Sequence, residues 1–190
     1  MTLDDAKVLL TDNNIPFDLV EYENEKEYWH HTMLFPYTKN AQVCKVLVLV
    51  VRSNNGKKDI ELQFNEKDGI FCFEEIRFGS YCFEVLCEVK EEKLAEELIA
   101  CIREVQEGYW RVIVANNIKR RFWLWDACFD LNDTDDDISG KKAFDEAMLL
   151  IEESEKVSGG VFGKFLDKLL RTKVQYEIYD WNTYQCIVKE

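Results

Sequence analysis

The clearest pattern in the sequence is a series of four short apolar segments separated by turn residues. The first segment is apolar at both its odd-numbered and its even-numbered positions, which is typical of a strand that is covered on both faces. It is followed by Ser53-Asn54-Asn55-Gly56, a combination that favours a hairpin turn. Consecutive strands joined by tight turns predict an antiparallel meander. The predicted strands are Val43–Arg52, Asp59–Asn65, Ile70–Ile76 and Tyr81–Glu88.

The second of these strands alternates strictly between apolar and polar residues, as a strand with two different faces does. Its apolar face is therefore predicted to point inward and its polar face outward. The inward residues are Ile60, Leu62 and Phe64, and the outward residues are Asp59, Glu61 and Gln63.

Other segments repeat apolar residues at the spacing of a helix that buries one face. In the segment that begins at Glu91 the first turn is also acidic, which the helix dipole favours. The predicted helices are Thr2–Asn13, Glu91–Val105, Lys141–Glu155 and Val161–Arg171. Further strands are predicted at Phe17–Glu23, Tyr109–Ala115, Lys119–Cys128, Lys173–Asp180 and Thr183–Val188.

The order of these elements is α-β-ββββ-α-ββ-αα-ββ, without the regular βαβ alternation of a parallel sheet. We therefore predict an α+β fold in which an antiparallel sheet, built from the four-strand meander and further strand pairs, is packed by about four helices. The length of 190 residues fits a single domain, 1–190. An alternative boundary lies near residues 106–109, because each half carries both strands and helices.

The charge of the chain restricts its partners. Acidic residues outnumber basic ones 37 to 24, which gives a net charge of −13, and the chain also has 5 Trp, 8 Tyr and 12 Phe. This composition predicts an apolar core under an acidic surface. Since affinity for nucleic acid comes mainly from basic contacts to phosphate, we expect no nucleic-acid partner. A protein with a basic or mixed surface is the expected partner.

The sequence also indicates a compartment. The first five residues include Asp4 and Asp5 where a signal peptide is basic, and the longest aliphatic run, Val46–Val51, is too short to cross a bilayer. The seven cysteines include no Cys-x-x-Cys pair, so they are predicted to be buried free thiols. We therefore expect a cytoplasmic protein that has no membrane partner.

No catalytic or cofactor motif is present. The acidic segment from Asp130 to Gly140 does not match a calcium-binding EF-hand loop. Asp135 stands where the turn glycine belongs, and Lys141 stands where the bidentate glutamate belongs. Ser158–Phe165 likewise lacks the first glycine and the final hydroxyl residue of a phosphate-binding P-loop. We therefore predict neither a metal nor a cofactor.

Both histidines of the chain, His30 and His31, are adjacent, and Glu25 and Glu27 lie just upstream. Neighbouring residues on one element point in different directions, so a single ion rarely binds both of them. Histidines three or four residues apart are the usual pair for zinc on one element. These four residues nevertheless form the alternative catalytic set, in a pocket under the segment 24–42.

The segment 24–42 is long, has weak periodicity and is rich in aromatic residues. Long loops in compact domains are often functional, and aromatic residues with polar tips are typical of interface hot spots. Two interpretations remain open: a binding surface, or a short helix that packs over a sheet edge. The predicted binding surface consists of Tyr28, Trp29, His30, His31, Phe35 and Tyr37.

A second aromatic segment, Lys119–Trp125, mixes basic and stacking residues as single-strand binders do. The alternation places Trp123 and Trp125 on one face, with Phe122 and Leu124 on the other. Because both faces are apolar, we expect this strand to be buried on both sides.

Our leading hypothesis is a non-catalytic protein-binding module of the inhibitor, immunity or chaperone type, a comparison that rests on composition and fold class. A homodimer formed through an open edge strand is a further option. The alternative hypothesis is a small enzyme or ligand-binding protein with a pocket around His30 and His31.

Overall fold

The computed structural model describes residues 1–32, 44–83, 89–118, 122–134, 139–153 and 173–189, with backbone only at 29–32 and 122. The chain divides into two compact units. The first contains Met1–Glu107 and Trp181–Thr183, and the second contains Gly108–Asp180 and Tyr184–Glu190. This division falls within the alternative boundary at 106–109, and the organisation of 1–190 as a single domain stays a prediction.

The described elements confirm the α+β class, because both sheets are antiparallel and four helices accompany them. In the first unit five strands form one antiparallel sheet in the order in which they follow along the chain, so the predicted meander is present. The second predicted helix after the acidic segment, Val161–Arg171, lies outside the described residues. The elements of the first unit are α1 Leu3–Asp12, β1 Asp18–Tyr22, α2 Glu25–Thr32, β2 Val46–Val51, β3 Ile60–Lys67, β4 Ile70–Phe78, β5 Tyr81–Cys82 and α3 Glu91–Gln106.

Local sequence accounts for the ends of several of these elements. Helix α1 begins with a capping box, in which the Thr2 hydroxyl accepts from the Asp5 amide at 3.3 Å and the Asp5 carboxylate accepts from the Thr2 amide at 2.9 Å. In the turn between β2 and β3, the Asn55 side chain accepts from the amides of Lys57 and Lys58, both at 2.8 Å. Gly56 follows Asn55 with a φ of 66°, which a glycine adopts without strain.

Strand β3 shows where the alternation pattern was informative and where it was wrong. Ile60, Leu62 and Phe64 are fully buried, as expected. The opposite face, however, does not point to solvent, since Gln63 is 2% exposed and Asn65 is 7% exposed. The physical reason is that α2 lies over this face and hydrogen-bonds to it.

The second unit contains four strands and one helix among the described residues: β6 Trp110–Asn117, β7 Phe122–Asp130, α4 Gly140–Glu153, β8 Val174–Tyr179 and β9 Tyr184–Lys189. The strands form an antiparallel sheet with the order β7-β6-β8-β9. Helix α4 covers one face of this sheet, where Phe144 and Ile151 contact Ile113 and Ile178. The start of α4 requires a glycine, because a Cβ on Gly140 would lie 1.7 Å from the Asp130 carbonyl oxygen.

Candidate functional sites

Helix α2 forms the first part of the segment 24–42, so the interpretation as a short helix holds for Glu25–Thr32. Its first turn is closed by two hydrogen bonds. The Asn24 side chain accepts from the Glu27 amide at 3.0 Å, and the Glu27 carboxylate accepts from the Glu23 amide at 2.8 Å. Glu27 therefore serves the start of the helix, and its carboxylate is exposed.

Tyr28 anchors α2 to the first sheet. Its side chain is 0% exposed and contacts Val46, Val48 and Val50 of β2. Its hydroxyl donates to the Glu61 carboxylate of β3 at 3.1 Å. Tyr28 was predicted to belong to a binding surface, but it lies in the core. Its ring packs against valines, and its hydroxyl, the polar end of the side chain, is satisfied by Glu61.

The Tyr28–Glu61 pair has perturbed protonation equilibria. Burial raises the pKa of the Glu61 carboxyl above its ordinary value of 4.5, and the hydrogen bond from Tyr28 partly opposes that change. Burial, reinforced by the charge of Glu61, holds the pKa of Tyr28 well above its ordinary value of 10.0. Tyr28 therefore stays a protonated phenol near neutral pH, and its hydroxyl is the donor to Glu61.

A second set of hydrogen bonds connects α2 to β3. The Glu25 carboxylate accepts from the Asn65 amide nitrogen at 3.1 Å and from the Cys44 thiol at 3.6 Å. Burial raises the pKa of Cys44, and the charge of Glu25 raises it further. The Asn65 side-chain oxygen accepts in turn from the Gln63 amide nitrogen at 2.9 Å. Within the described residues, the buried oxygen of Gln63 has no hydrogen-bond partner.

Strands β4 and β5 extend this polar layer. Arg77 is 6% exposed and pairs with Glu75 on its own strand, while its Nη1 donates to the Ser80 carbonyl at 3.2 Å. The Cys82 thiol donates to the same Glu75 carboxylate at 3.5 Å. Because Arg77 also lies opposite Glu61 in the strand register, the layer combines half-buried carboxylates with a buried cation.

The histidines lie on α2, but only their backbone is described. The side chain of Trp29 is not described either, and Phe35 and Tyr37 lie outside the described residues. The binding surface and the alternative catalytic set therefore stay predictions. In the described part of the chain, no group of three or more His, Cys, Asp or Glu side chains could hold a metal ion.

The second aromatic segment differs from its prediction. Trp123 is 54% exposed and Trp125 is 38% exposed, so β7 is not buried on both sides. The register shifts between Ala115 and Asn116, which pair with Trp125 and Trp123 respectively. Since neighbouring residues of β6 alternate in direction, the two indoles do not share a face. Local alternation could not show this, because the irregularity adds one residue to β7.

Trp125 is held by a neighbour on its own face. It pairs with Ala115, which also pairs with Tyr176 of β8, and the rings of Trp125 and Tyr176 are 6.2 Å apart. Strand β7 is at an edge of its sheet among the described strands. Its exposed indoles form a candidate contact surface that sequence analysis missed, because exposure depends on strand order and not on composition.

Comparison with known proteins identified no relative. No protein-family model matches the chain, no curated protein sequence matches it significantly, and no solved structure does so either. None of the helices in the described part of the chain is long and apolar enough to cross a membrane.

Proposed function

We propose that the chain is a non-catalytic protein-binding module whose contact surface is the β7 edge around Trp123 and Trp125. The exposure of the two indoles, 54% and 38%, carries this proposal. Tryptophan is enriched among the residues that dominate binding energy at protein interfaces, since a large rigid ring buries much apolar area at a low entropic cost. An edge strand also offers backbone donors and acceptors to an extended segment of a partner.

The net charge of the chain favours a basic partner over a second copy of the chain. Two copies would each carry a net charge of −13, so like charges would oppose their association. A partner with a basic or mixed surface avoids this repulsion.

Photo-crosslinking in host lysate tests this proposal. A photoreactive residue at position 123 should give a discrete crosslinked species, whereas the same residue at Leu150, which is 67% exposed on α4, should not. Trp125→Ala should abolish the crosslink from position 123, and Leu150→Ala should leave it unchanged. Equal labelling from both positions, or a crosslink that survives Trp125→Ala, would contradict the proposal.

We further propose that the module acts in the cytoplasm, on the class of partner that an inhibitor, an immunity protein or a chaperone binds. The six cysteines within the described residues are free thiols, as a reducing compartment maintains them. The pKa of Cys101 is raised by burial to about 12, which keeps that thiol protonated and unreactive.

A second candidate function, ligand binding beneath α2, is favoured by the buried oxygen of Gln63. This acceptor ends the series of hydrogen bonds from Gln63 through Asn65 to Glu25, and a ligand N–H or O–H would satisfy it. Native mass spectrometry of the purified chain tests this function. A stoichiometric adduct that is lost when His30 and His31 are changed to Ala would support it, and a bare chain would oppose it.

A further inference from the structure

Helices α1 and α3 of the first unit are separated by a surface groove. Two depressions of about 460 and 340 Å³ lie between them and share Leu9 and Ala95, so they are continuous. The first depression is lined by the beginnings of both helices, and the second reaches Asn13 and Arg103 near their ends. The Arg103 guanidinium donates to the Asn13 side-chain oxygen at 2.9 Å, which fixes this end. The helices therefore run side by side in the same direction.

The floor of the groove is apolar and formed partly by small residues. Leu9, Leu94 and Ile99 contribute branched side chains to the lining, and Ala95 and Ala100 contribute small ones. Alanines let a third helix approach closely, since the distance between helix axes depends on the side chains at the contact. Val8 lines the first depression and is 59% exposed, so an apolar anchor is already at the surface.

The charged residues of the groove are mainly acidic. Asp12 and Glu96 contribute exposed carboxylates, whereas Asp5 accepts from Thr2, Glu91 lies 3.7 Å from the Met1 ammonium and Arg103 is engaged by Asn13. The hydrogen bonds from Thr2 lower the pKa of Asp5, which keeps that carboxylate ionised. An occupant of this groove would therefore combine an apolar stripe with flanking cations.

We propose that this groove binds a basic amphipathic helix of a partner protein. Helix α1 has 10 residues and spans about 15 Å, so a partner helix of about three turns matches the groove in length. Such a helix places apolar side chains at i, i+3, i+4 and i+7 into the groove and its lysines or arginines against the carboxylates. This surface lies in the first unit and shares no residue with the β7 edge.

Fluorescence anisotropy with the full chain tests the proposal. The probes are labelled 14-residue peptides of leucine and lysine, with the leucine stripe in three registers, a scrambled peptide and a peptide with glutamate in place of lysine. We expect saturable binding of at least one striped lysine peptide with a dissociation constant below about 100 μM, the weak range for a short helix. The scrambled and glutamate peptides should bind at least about tenfold more weakly.

Matched charge reversals locate the binding. Asp12→Lys with Glu96→Lys changes the groove, whereas Glu146→Lys with Glu152→Lys makes the same change in net charge on exposed positions of α4. The groove pair should raise the dissociation constant about tenfold, because two attractions become repulsions, and the α4 pair less than about threefold. Val8→Ser should weaken binding, and Leu150→Ser should not.

Three results would overturn the proposal. One is no saturable binding of any striped lysine peptide. Another is equal weakening by the groove and α4 reversals, which would indicate net charge alone. The third is a set of peptide-induced amide shifts, in NMR spectra of the full chain, that falls outside α1 and α3. Circular dichroism of each variant identifies loss of fold. Lysine is compatible with both positions, because it is a good helix former at position 96 of α3 and a cation is favourable in the last turn of α1 at position 12.

Discussion

The contact between Tyr28 and Glu61 makes a specific prediction about stability. Tyr28→Phe keeps the ring among the valines of β2 and removes only the hydroxyl that donates to Glu61 at 3.1 Å. The half-buried carboxylate then lacks this donor, which costs about 2 kcal/mol for a hydrogen bond to a charged group. Arg77, opposite Glu61 in the register, limits the loss by its charge. For a chain of this length, about 2 kcal/mol corresponds to a fall in Tm of about 4–8 °C.

This loss should depend on pH. Burial raises the folded-state pKa of Glu61 above its ordinary value of 4.5, so the folded state binds more protons than the unfolded state between the two values. Stability from this group is therefore lost as the pH rises through that window. Because the Tyr28 hydroxyl lowers the pKa of Glu61, Tyr28→Phe raises it further and deepens the loss at pH 7. Below both pKa values Glu61 is neutral, and the difference between variant and wild type should shrink to about 1 kcal/mol.

Urea denaturation followed by circular dichroism at pH 7 and pH 4 measures the effect. The control is Tyr176→Phe, since the Tyr176 hydroxyl makes no hydrogen bond to the described residues and burial alone raises its pKa. The control should change the free energy of unfolding by less than about 0.5 kcal/mol. A loss in Tyr28→Phe that is equal at both pH values, or no larger than in the control, would refute the assigned role of Glu61.

Three shorter predictions concern other parts of the chain. Gly140→Ala should destabilise the second unit by about 1–3 kcal/mol in urea denaturation, because its Cβ would lie 1.7 Å from the Asp130 carbonyl oxygen; an unchanged midpoint would disprove this close approach. Thr2→Ala removes the cap of α1 and should cost about 1 kcal/mol, whereas Thr2→Asp should recover most of it in the same assay. Burial raises the pKa of Cys101 to about 12, so this thiol should resist iodoacetamide at pH 8 until urea is added. The exposed Cys186 should be modified in the native protein. Peptide mapping measures both reactions, and labelling of Cys101 before Cys186 would contradict the burial of Cys101.

The parts of the fold that local sequence determines could be predicted. The apolar face of β3, the hairpin turn at Gly56 and the capping box at Thr2 each follow from a few consecutive residues. The burial of Gln63 could not be predicted, because it depends on α2, an eight-residue helix with few apolar residues. That helix is anchored by Tyr28 across 33 residues of sequence, a contact that no local period encodes.

The candidate sites were less accessible to sequence analysis. The exposure of Trp123 follows from the edge position of β7 and from an irregularity in its register, both of which are properties of strand pairing. The groove between α1 and α3 depends on two helices that are about 80 residues apart in the chain. Composition indicated only the class of partner, a protein with a basic or mixed surface, and that partner stays a prediction.

The distribution of charge separates the two proposed contact surfaces experimentally. Acidic residues outnumber basic ones 22 to 12 in the first unit and 15 to 12 in the second, so most of the acidic excess lies with the α1–α3 groove. Salt screens charges beyond about 10 Å at 0.1 M, and it weakens the burial of an indole far less. Raising the salt from 0.05 to 0.5 M should therefore weaken the lysine peptide about tenfold, while the crosslink from position 123 should change by less than about twofold. An equal dependence on salt would mean that one acidic surface accounts for both interactions.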